Sequence, residues 1–347
     1  MALRFLEGFE THQTLNQWTR KYSTFTGTWG INPGNGRVFG QAGSIAATVA
    51  IPPAFPLADT WGVAFGLRLN AQVAGLNSGA QGLYFEKGGT EQVHLEIQSN
   101  SGSFEIRLMR GATQLAITSA AYAYNIWHHF ELKVTINTST GSYELRHNEV
   151  TAFGPTSGVN TANAGSNQAS EFAHRFTTTS TNVLFDDVFI WDGTGSHNNN
   201  FLGDTVIEGV TVNGNGATQQ WTRAAGASNA LMVDDPGSSS PVDTNDFNSS
   251  DTNTQEDLYT YTDLANITGF IIGVQLDTQM AMASAGSRVV TTRFRDPSTT
   301  EADISDKTVS STTYASFADV MDVNPQDGLG WDVADVNGGQ FGVKVKS

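Results

Sequence analysis

Alternation of apolar and polar residues dominates this chain and predicts β-strands. In the clearest run every second residue belongs to one face: Ile126, His128, Phe130, Leu132, Val134 and Ile136. Because successive side chains of a strand point to opposite sides, this run predicts a buried face, with Glu131, Lys133 and Thr135 on the other. Turn residues at 137–141 and a second run at 142–147 then complete a hairpin.

Short runs of the same kind recur along the chain, separated by turns rich in Gly and Asn. The predicted strands are 46–51, 62–69, 82–86, 93–98, 104–108, 114–118, 183–191, 201–212, 270–278, 288–295 and 342–345. The one helical prediction is a single turn over Ala315–Met321. Many short strands without a long helix predict an all-β protein made of antiparallel, jelly-roll-like β-sandwiches.

Length and loop composition predict two such domains in tandem. A chain of 347 residues is long for one ordinary core, and Asp192–Asn200 is polar, rich in turn residues and without hydrophobic anchors. We therefore predict a first sandwich over residues 1–195, a linker over 196–202 and a second sandwich over 203–347. The Ser-, Asn- and Thr-rich stretch Asp234–Asp257 predicts a long loop in the second domain.

Composition excludes several classes of site and partner. The net charge is −16, of which residues 199–347 contribute −13, so the second domain should repel nucleic acid and anionic membranes. The chain has no cysteine, which excludes disulfides, thiolate zinc sites and cysteine nucleophiles. The first ten residues do not form a signal peptide, and no apolar run is long enough to span a membrane, so we expect no membrane insertion.

Carboxylates are the first candidates for chemistry, because β-sandwiches can be glycosidases. Retaining hydrolysis needs two carboxyl groups about 5 Å apart in one cleft, and the Glu-x-Asp-x-x-Glu strand of laminarinase-like hydrolases is absent. Glu96 and Glu131 lie on predicted strands, but each lacks a second carboxylate nearby in sequence. We interpret both as outward-facing, solvated groups and predict no catalytic residue.

The adjacent pair Asp186–Asp187 lies inside an apolar strand, so one of the two should point inward. A buried carboxylate must be paired, hydrogen-bonded or bound to a cation, and calcium prefers hard oxygen ligands. Two interpretations stay open: a calcium ion held by Asp186 and Asp187, or carboxylates that cap backbone amides. No cofactor is required in either. Asp322–Gly328 resembles a calcium loop in the wrong register, and we interpret it as an acidic turn.

Aromatic residues offer a further type of binding surface. Any of the seven tryptophans could belong to a platform on which sugars stack, or could fill a sandwich core. They are Trp18, Trp29, Trp61, Trp127, Trp191, Trp221 and Trp331. His128 lies on the apolar face of its strand and is predicted to be a core histidine. His129 points the other way, so the two cannot hold one metal ion.

Residues 1–195 resemble a laminin-G or concanavalin-A-like jelly roll. The resemblance is carried by Phe5–Glu10, Trp127–Val134, Gly141–Asn148 and Phe185–Ile190. It implies that the first and last strands of this domain pair and that the Trp-His strand is central. It is weakly specific for function.

The second half resembles segments of tailed-bacteriophage virion proteins that follow a laminin-G-like domain. The matching stretches are Phe201–Glu208, Gly216–Thr222, Asp257–Tyr261, Ile272–Gln275, Gly330–Asn337 and Gly342–Lys344. The resemblance implies a structural role on the particle, as head decoration or cement, as a fibre or as a tail-associated component. No catalytic residue is carried over.

Three functions follow as hypotheses. The first is a virion surface protein that docks on capsid or tail subunits, is made in the host cytoplasm and assembles as a homo-oligomer. The second is a lectin-like module that binds a host glycan, which is compatible with the first. The third and least favoured is a polysaccharide depolymerase, since it would need an acid pair that the sequence lacks.

Overall fold

A computed structural model of the chain describes residues 2–10, 21–22, 24–50, 55–73, 76, 81–163, 165–176, 182–234 and 245–347, with the backbone alone at 24–29, 45–50 and 100. Of these residues, a first compact unit contains 2–10 and 22–207, and a second contains Lys21 and 208–347. The regular structure is almost entirely antiparallel β, which confirms the predicted all-β class. No helix in the described ranges is both long enough and apolar enough to cross a membrane.

The first unit contains fourteen described strands. They are β1 (Leu3–Glu7), β2 (Thr24–Pro33), β3 (Gln41–Ala50), β4 (Thr60–Leu69), β5 (Gly82–Lys87), β6 (Thr90–Asn100), β7 (Ser103–Arg110), β8 (Thr113–Ile117), β9 (Tyr122–Ala123), β10 (His128–Thr135), β11 (Gly141–His147), β12 (Val150–Val159), β13 (Glu171–Arg175) and β14 (Val183–Asp192).

These strands form two halves that are joined where β14 meets β3. The front sheet has the order β12-β11-β10-β4-β14-β1, and the back sheet has the order β2-β3-β13-β5-β6-β7-β8, with β9 on β7. Only the start of β14 pairs with β3, at Leu184 and Phe185, and the rest of β14 pairs with β1. The first strand therefore pairs with the last, as the jelly-roll resemblance implied.

The core of the first unit lies between the two sheets. Rings from front-sheet strands contact rings from back-sheet strands, as in the pairs Trp61–Phe85 and Phe104–Phe130, with centroids 6.0 and 6.4 Å apart. The alternating run of β10 supplies this core with side chains that are 5 % exposed or less, namely His128, Phe130, Leu132 and Val134. Burial of such apolar area is the main stabilising contribution to a sandwich of this type.

The second unit is built around a five-stranded antiparallel sheet of order β15-β18-β23-β20-β21. Its elements are β15 (Val212–Gln219), β16 (Thr222–Arg223), β17 (Asn248–Ser249), β18 (Glu256–Tyr261), β19 (Val274–Met280), β20 (Arg288–Arg295), β21 (Glu301–Val309), β22 (Ala315–Met321), α1 (Val333–Gly338) and β23 (Gln340–Val345). The separate β19–β22 ribbon contributes to its core, which contains Leu276, Phe294, Met321, Trp331, Val336 and Phe341.

Three predicted elements differ from the structure. Ala315–Met321 is a strand and not a helical turn, because its whole length pairs with β19 and thereby satisfies its backbone. The strand predicted over 201–212 begins only at Val212. The strand predicted over 270–278 begins at Val274, and Ile271 before it makes an isolated bridge with Trp331.

The predicted long loop in the second unit is only partly described. Residues 235–244 lie outside the described ranges, as does Ile51 at the end of a predicted first-unit strand. Asn248–Ser249 of the predicted loop forms the short strand β17, which pairs with β16. The predicted domain limits at 195 and 203 stay predictions.

Candidate functional site

The pair Asp186–Asp187 lies at an irregularity of β14. Between Asp186 and Phe189, β14 advances three residues while β4 advances only two, from Gly66 to Ala64, so one extra residue forms a β-bulge. Asp187 has a φ of 48°, in the left-handed region that few non-glycine residues adopt. Both carboxylates are buried and reach the same neighbour, whereas simple alternation predicted opposite directions.

That neighbour is Arg37, whose side chain is 7 % exposed. Its backbone N–H donates to Asp186 Oδ2 over 2.6 Å, and its Nε donates to Asp187 Oδ2 over 2.7 Å. The remaining carboxylate oxygens accept backbone amides: Asp187 N donates to Asp186 Oδ1 and Ile207 N donates to Asp187 Oδ1. All four oxygens of the acidic pair therefore accept hydrogen bonds.

Ionisation of this cluster is unfavourable. Burial, together with repulsion from Asp187, raises the pKa of Asp186 to about 8. Burial and repulsion from Asp186 raise the pKa of Glu10 to about 10. Burial also raises the pKa of Asp187, although Arg37 opposes the effect. The shifts come from a buried excess of acids around one guanidinium group.

The predicted calcium ion at Asp186 and Asp187 stays a prediction. The observed contacts resemble the alternative interpretation, in which the carboxylates cap backbone amides. Among the described residues, no three or more histidine or acidic side chains converge as a metal site. Calcium at this pair would have to replace the hydrogen bonds from Arg37 and from the amides.

A segment without regular secondary structure, residues 200–207, covers the outer face of the front sheet. We call it the crossing segment. Side chains of the sheet hold its backbone: Glu131 accepts the N–H groups of Leu202 and Gly203 over 2.7 and 3.1 Å. Arg37 donates to the carbonyl of Thr205 over 2.7 Å. The segment is therefore fixed by side chains and not by a strand ladder.

Further contacts of the crossing segment come from neighbouring strands. Lys133 Nζ donates to Asn200 Oδ1 over 2.9 Å, and Glu149 accepts the N–H of Asp204 over 3.2 Å. The guanidinium of Arg146 lies 3.8 Å from the centroid of the Phe201 ring, a cation–π contact. Arg37 also forms an ion pair with Asp204.

Two carboxylates predicted to be solvated are buried instead. Glu131 is 1 % exposed and Glu96 is 4 % exposed. Glu131 is covered by the crossing segment. Because that segment lies far along the chain, the sequence around Glu131 gives no indication of it. Burial raises the pKa of Glu131 to about 6, although the amides of Leu202 and Gly203 oppose the shift. Its two oxygens therefore have structural roles.

The predicted aromatic platform is not formed by the buried tryptophans. Trp61, Trp191 and Trp331 are 2 % exposed or less and fill cores. Trp18 and the side chain of Trp29 lie outside the described residues. The turn at Asp322–Gly328 is closed by its own backbone, with Gly328 N donating to Asn324 O over 2.8 Å.

The outer face of the back sheet carries a dense polar row. Pairing aligns Ala173 of β13, Tyr84 of β5, His94 of β6 and Met109 of β7 across the sheet. The next row aligns Arg175, Gly82, Glu96 and Arg107. Because the alternate residues Leu83, Phe85 and Leu95 lie in the core, these two rows share the opposite face.

Aromatic stacking organises the centre of this face. The rings of Tyr84 and His94 are stacked, with centroids 4.3 Å apart and planes 9° from parallel. The Arg175 guanidinium carbon lies 4.6 Å from the Tyr84 centroid, and Arg175 forms an ion pair with Glu86. His94 Nδ1 lies 2.7 Å from Glu91 Oε1. The stack is therefore contacted by Arg175 at the Tyr84 ring and by Glu91 at the His94 ring.

The stack leaves polar atoms without partners. Tyr84 and His94 are 1 % and 3 % exposed, yet Tyr84 Oη and His94 Nε2 have no hydrogen-bond partner among the described residues. Gln92 Oε1, two residues before His94, also lacks one there. A buried polar atom without a partner costs about 1–3 kcal/mol. Such atoms need a hydrogen-bond partner, which water or a bound molecule can supply.

The edges of this polar face are open to solvent. The side chains of Arg175, Arg107, Glu91 and Glu105 are between 19 % and 33 % exposed. The face therefore has a buried floor at Tyr84 and His94 and a partly exposed rim. Sequence reasoning predicted strands over 82–86, 93–98 and 104–108 but not β13, which carries Arg175, and it singled out only Glu96 among these residues.

Comparisons with known proteins give only distant structural likenesses. No known protein family matches the chain, and no curated protein matches it. Domain 4 of AbnA, a GH43 extracellular arabinanase from Geobacillus stearothermophilus solved with arabinotriose, is 14 % identical, with a TM-score of 0.34 over 48 % of this chain and 76 % of that one.

Two further structures have similarly low sequence identities and TM-scores. The carbohydrate-binding module CBM66 from Bacillus subtilis is 12 % identical, with a TM-score of 0.32 over 49 % of this chain and 94 % of that one. The catalytic domain of a glycoside hydrolase family 131 protein from Coprinopsis cinerea is 11 % identical, with a TM-score of 0.32 over 54 % and 92 %. At these scores the likenesses carry no argument about function, which must come from the site itself.

Proposed function

We propose that the chain is a non-catalytic binding and display protein whose first unit binds a saccharide on the outer face of the back sheet. The observation that carries the proposal is the Tyr84–His94 stack, with two adjacent polar atoms that lack partners. Saccharides carry many hydroxyl groups that can both donate and accept, so they can supply partners to the polar atoms that lack them beneath the polar rim.

The hydrogen bonds of Glu131 and Asp186, two carboxyl groups with raised pKa values, do not suit a catalytic role. A catalytic acid should be aimed at a space where substrate can lie. Both oxygens of Glu131 accept amides of the crossing segment, and those of Asp186 are held by Arg37 and Asp187. Incubation with polysaccharides should therefore release no reducing sugar, and release that depends on Glu131 or Asp186 would contradict this part of the proposal.

A glycan array with the intact chain, followed by calorimetry with the tightest ligand, tests the proposed site. Tyr84→Phe removes only the hydroxyl and keeps the stacked ring, so we expect affinity to fall about three- to tenfold, the value of one hydrogen bond. Tyr143→Phe is the matched control, because that hydroxyl already donates to Leu115 O over 3.1 Å. Unchanged affinity in Tyr84→Phe, or no glycan bound, would refute the site.

The proposed setting is the surface of a tailed-phage particle, as the resemblance of the second half implies. There the chain would dock on capsid or tail subunits, assemble as a homo-oligomer and need no membrane insertion. One feature of the second unit favours docking: Phe270 is 99 % exposed, and exposed aromatic side chains are common anchors of protein interfaces.

Immunogold labelling of intact particles tests this setting. Gold on heads or tails at regular positions would support it and would separate the two locations, whereas unlabelled particles would contradict it. The mass of the purified chain in solution, measured by light scattering, would show whether it forms the expected oligomer.

A further inference from the structure

Acidic groups dominate the polar face of the back sheet. Five carboxylates lie on the strands or turns of this face: Glu86, Glu91, Glu96, Glu105 and Glu171. The cations there are the guanidinium groups of Arg107 and Arg175. Three of the carboxylates, Glu91, Glu96 and Glu86, act on Tyr84 closely enough to help burial raise its pKa. The face therefore repels anions.

Both arginines are already neutralised by those acids. Arg107 Nη2 pairs with Glu105 Oε1 over 2.7 Å, and Arg175 pairs with Glu86. An anionic sugar would have to break one of these pairs to gain a guanidinium partner. Breaking a partly buried pair leaves one charge without its partner, which costs more than the new contact returns.

Several of the carboxylates are hydrogen-bonded as well, so a cation would have to compete for them. Glu171 accepts the N–H groups of Gly88 and Gly89 over 3.0 and 2.8 Å. Glu96 accepts Gln98 Nε2 over 2.7 Å, and Glu91 accepts Gly111 N over 2.8 Å. A charged amine would compete with these bonds.

The atoms without partners on this face include both donors and acceptors. Gln92 Oε1 is an acceptor, Arg107 Nε is a donor, and Tyr84 Oη can do either. Uncharged hydroxyl groups, which both donate and accept, satisfy this set.

Building on the saccharide site of the proposed function, we propose that the face selects neutral, hydroxyl-rich sugars. It rejects sugars that carry carboxylate or sulfate groups, and it has no preference for amino sugars. The selecting residues are the paired acids around the stack, with Glu105 holding Arg107 away from anionic ligands.

Matched glycans on one array test this selectivity. The probes are N-acetyllactosamine with and without a terminal sialic acid or sulfate, and chitotetraose with its de-N-acetylated, cationic form. We expect the glycans that bind to be neutral and an acidic substituent to weaken binding at least tenfold at low salt. The penalty should shrink in 0.5 M salt, where the Debye length is only about 4 Å.

Glu105→Gln provides the discriminating variant, because it removes one acid and releases Arg107. Binding of the acidic glycans should rise severalfold relative to binding of the neutral ones. Glu144→Gln is the control, since Glu144 pairs with Arg146 on the front sheet. Acidic glycans that bind as tightly as neutral ones, or cationic glycans that bind more tightly than neutral ones, would overturn the selectivity. If that result is found while Tyr84→Phe still weakens binding, the selectivity is refuted but the saccharide site is not.

Discussion

Two sets of buried ionisable groups in the first unit make its folding stability depend on pH in opposite directions. Burial lowers the pKa of His129 and His147 to about 4 and that of His174 to about 3. Such imidazoles stay neutral in the fold and take up protons on unfolding. Their stabilisation is complete above the unfolded pKa of about 6.5 and is lost as pH falls toward 4.

The buried acids with raised pKa values have the opposite effect on the pH dependence of stability. Asp186 and Glu10 stay protonated in the fold and ionise on unfolding, so their stabilisation is present below about pH 4 and is lost as pH rises through the folded pKa values of about 8 for Asp186 and about 10 for Glu10. Stability should therefore fall on both the acid and the alkaline side of neutrality.

Glu10→Gln tests the alkaline side, because it keeps the neutral form of the side chain at every pH. Between pH 6 and 9 we expect the free energy of unfolding of the variant to fall less than that of the wild type, by about 1 kcal/mol or more. Urea unfolding at both pH values measures this, with Glu144→Gln as control. Parallel curves for Glu10→Gln and wild type would contradict the raised pKa.

Among the elements, the crossing segment shows how side-chain hydrogen bonds can take the place of the backbone hydrogen bonds between paired strands. Its amides are satisfied by Glu131, Glu149 and Asp187, so its order depends on three carboxylates that come from three regions of the chain. Charge-assisted hydrogen bonds of this kind are about twice as strong as neutral ones. These bonds explain how Glu131 and Asp187 can be buried.

Glu131→Gln should loosen the crossing segment without unfolding the sheet. The neutral amide has one acceptor oxygen for two amide donors, so we expect hydrogen exchange at Leu202 and Gly203 to become about tenfold faster. Exchange mass spectrometry of the peptide that covers 200–207 measures the effect. Glu105→Gln, on the back sheet, should leave exchange there unchanged, and equal protection in both variants would contradict the assigned role.

In the whole molecule, each unit has its own hydrophobic core. Phe130 is fully buried between the sheets of the first unit, and Phe294 is fully buried in the core of the second. Separate cores are what allow domains to unfold as separate cooperative units.

We therefore expect two thermal transitions in calorimetry. Phe130→Ala should lower one transition and Phe294→Ala the other, each by the effect of about 3–5 kcal/mol that is usual for a buried phenylalanine. A single transition that both variants shift equally would show that the units unfold together.

The sequence determined the elements that local patterning specifies. Most of the run predicted over 126–136 forms β10, although Ile126, predicted on its buried face, is 52 % exposed. The return strand predicted over 142–147 and the apolar run predicted over 183–191 form most of β11 and β14. These strands follow from patterns that need only neighbouring residues. Composition likewise determined the acidic character of the second half.

Only the tertiary structure decided what covers each polar face. Glu131 appeared solvated because the segment that covers it begins about seventy residues later in the sequence, and Ala315–Met321 became a strand because β19 lies beside it. The bulge at Asp187 and the Tyr84–His94 stack depend on register between distant strands. A pattern of neighbouring residues cannot encode such pairings, because they are fixed by contacts between parts of the chain far apart in sequence.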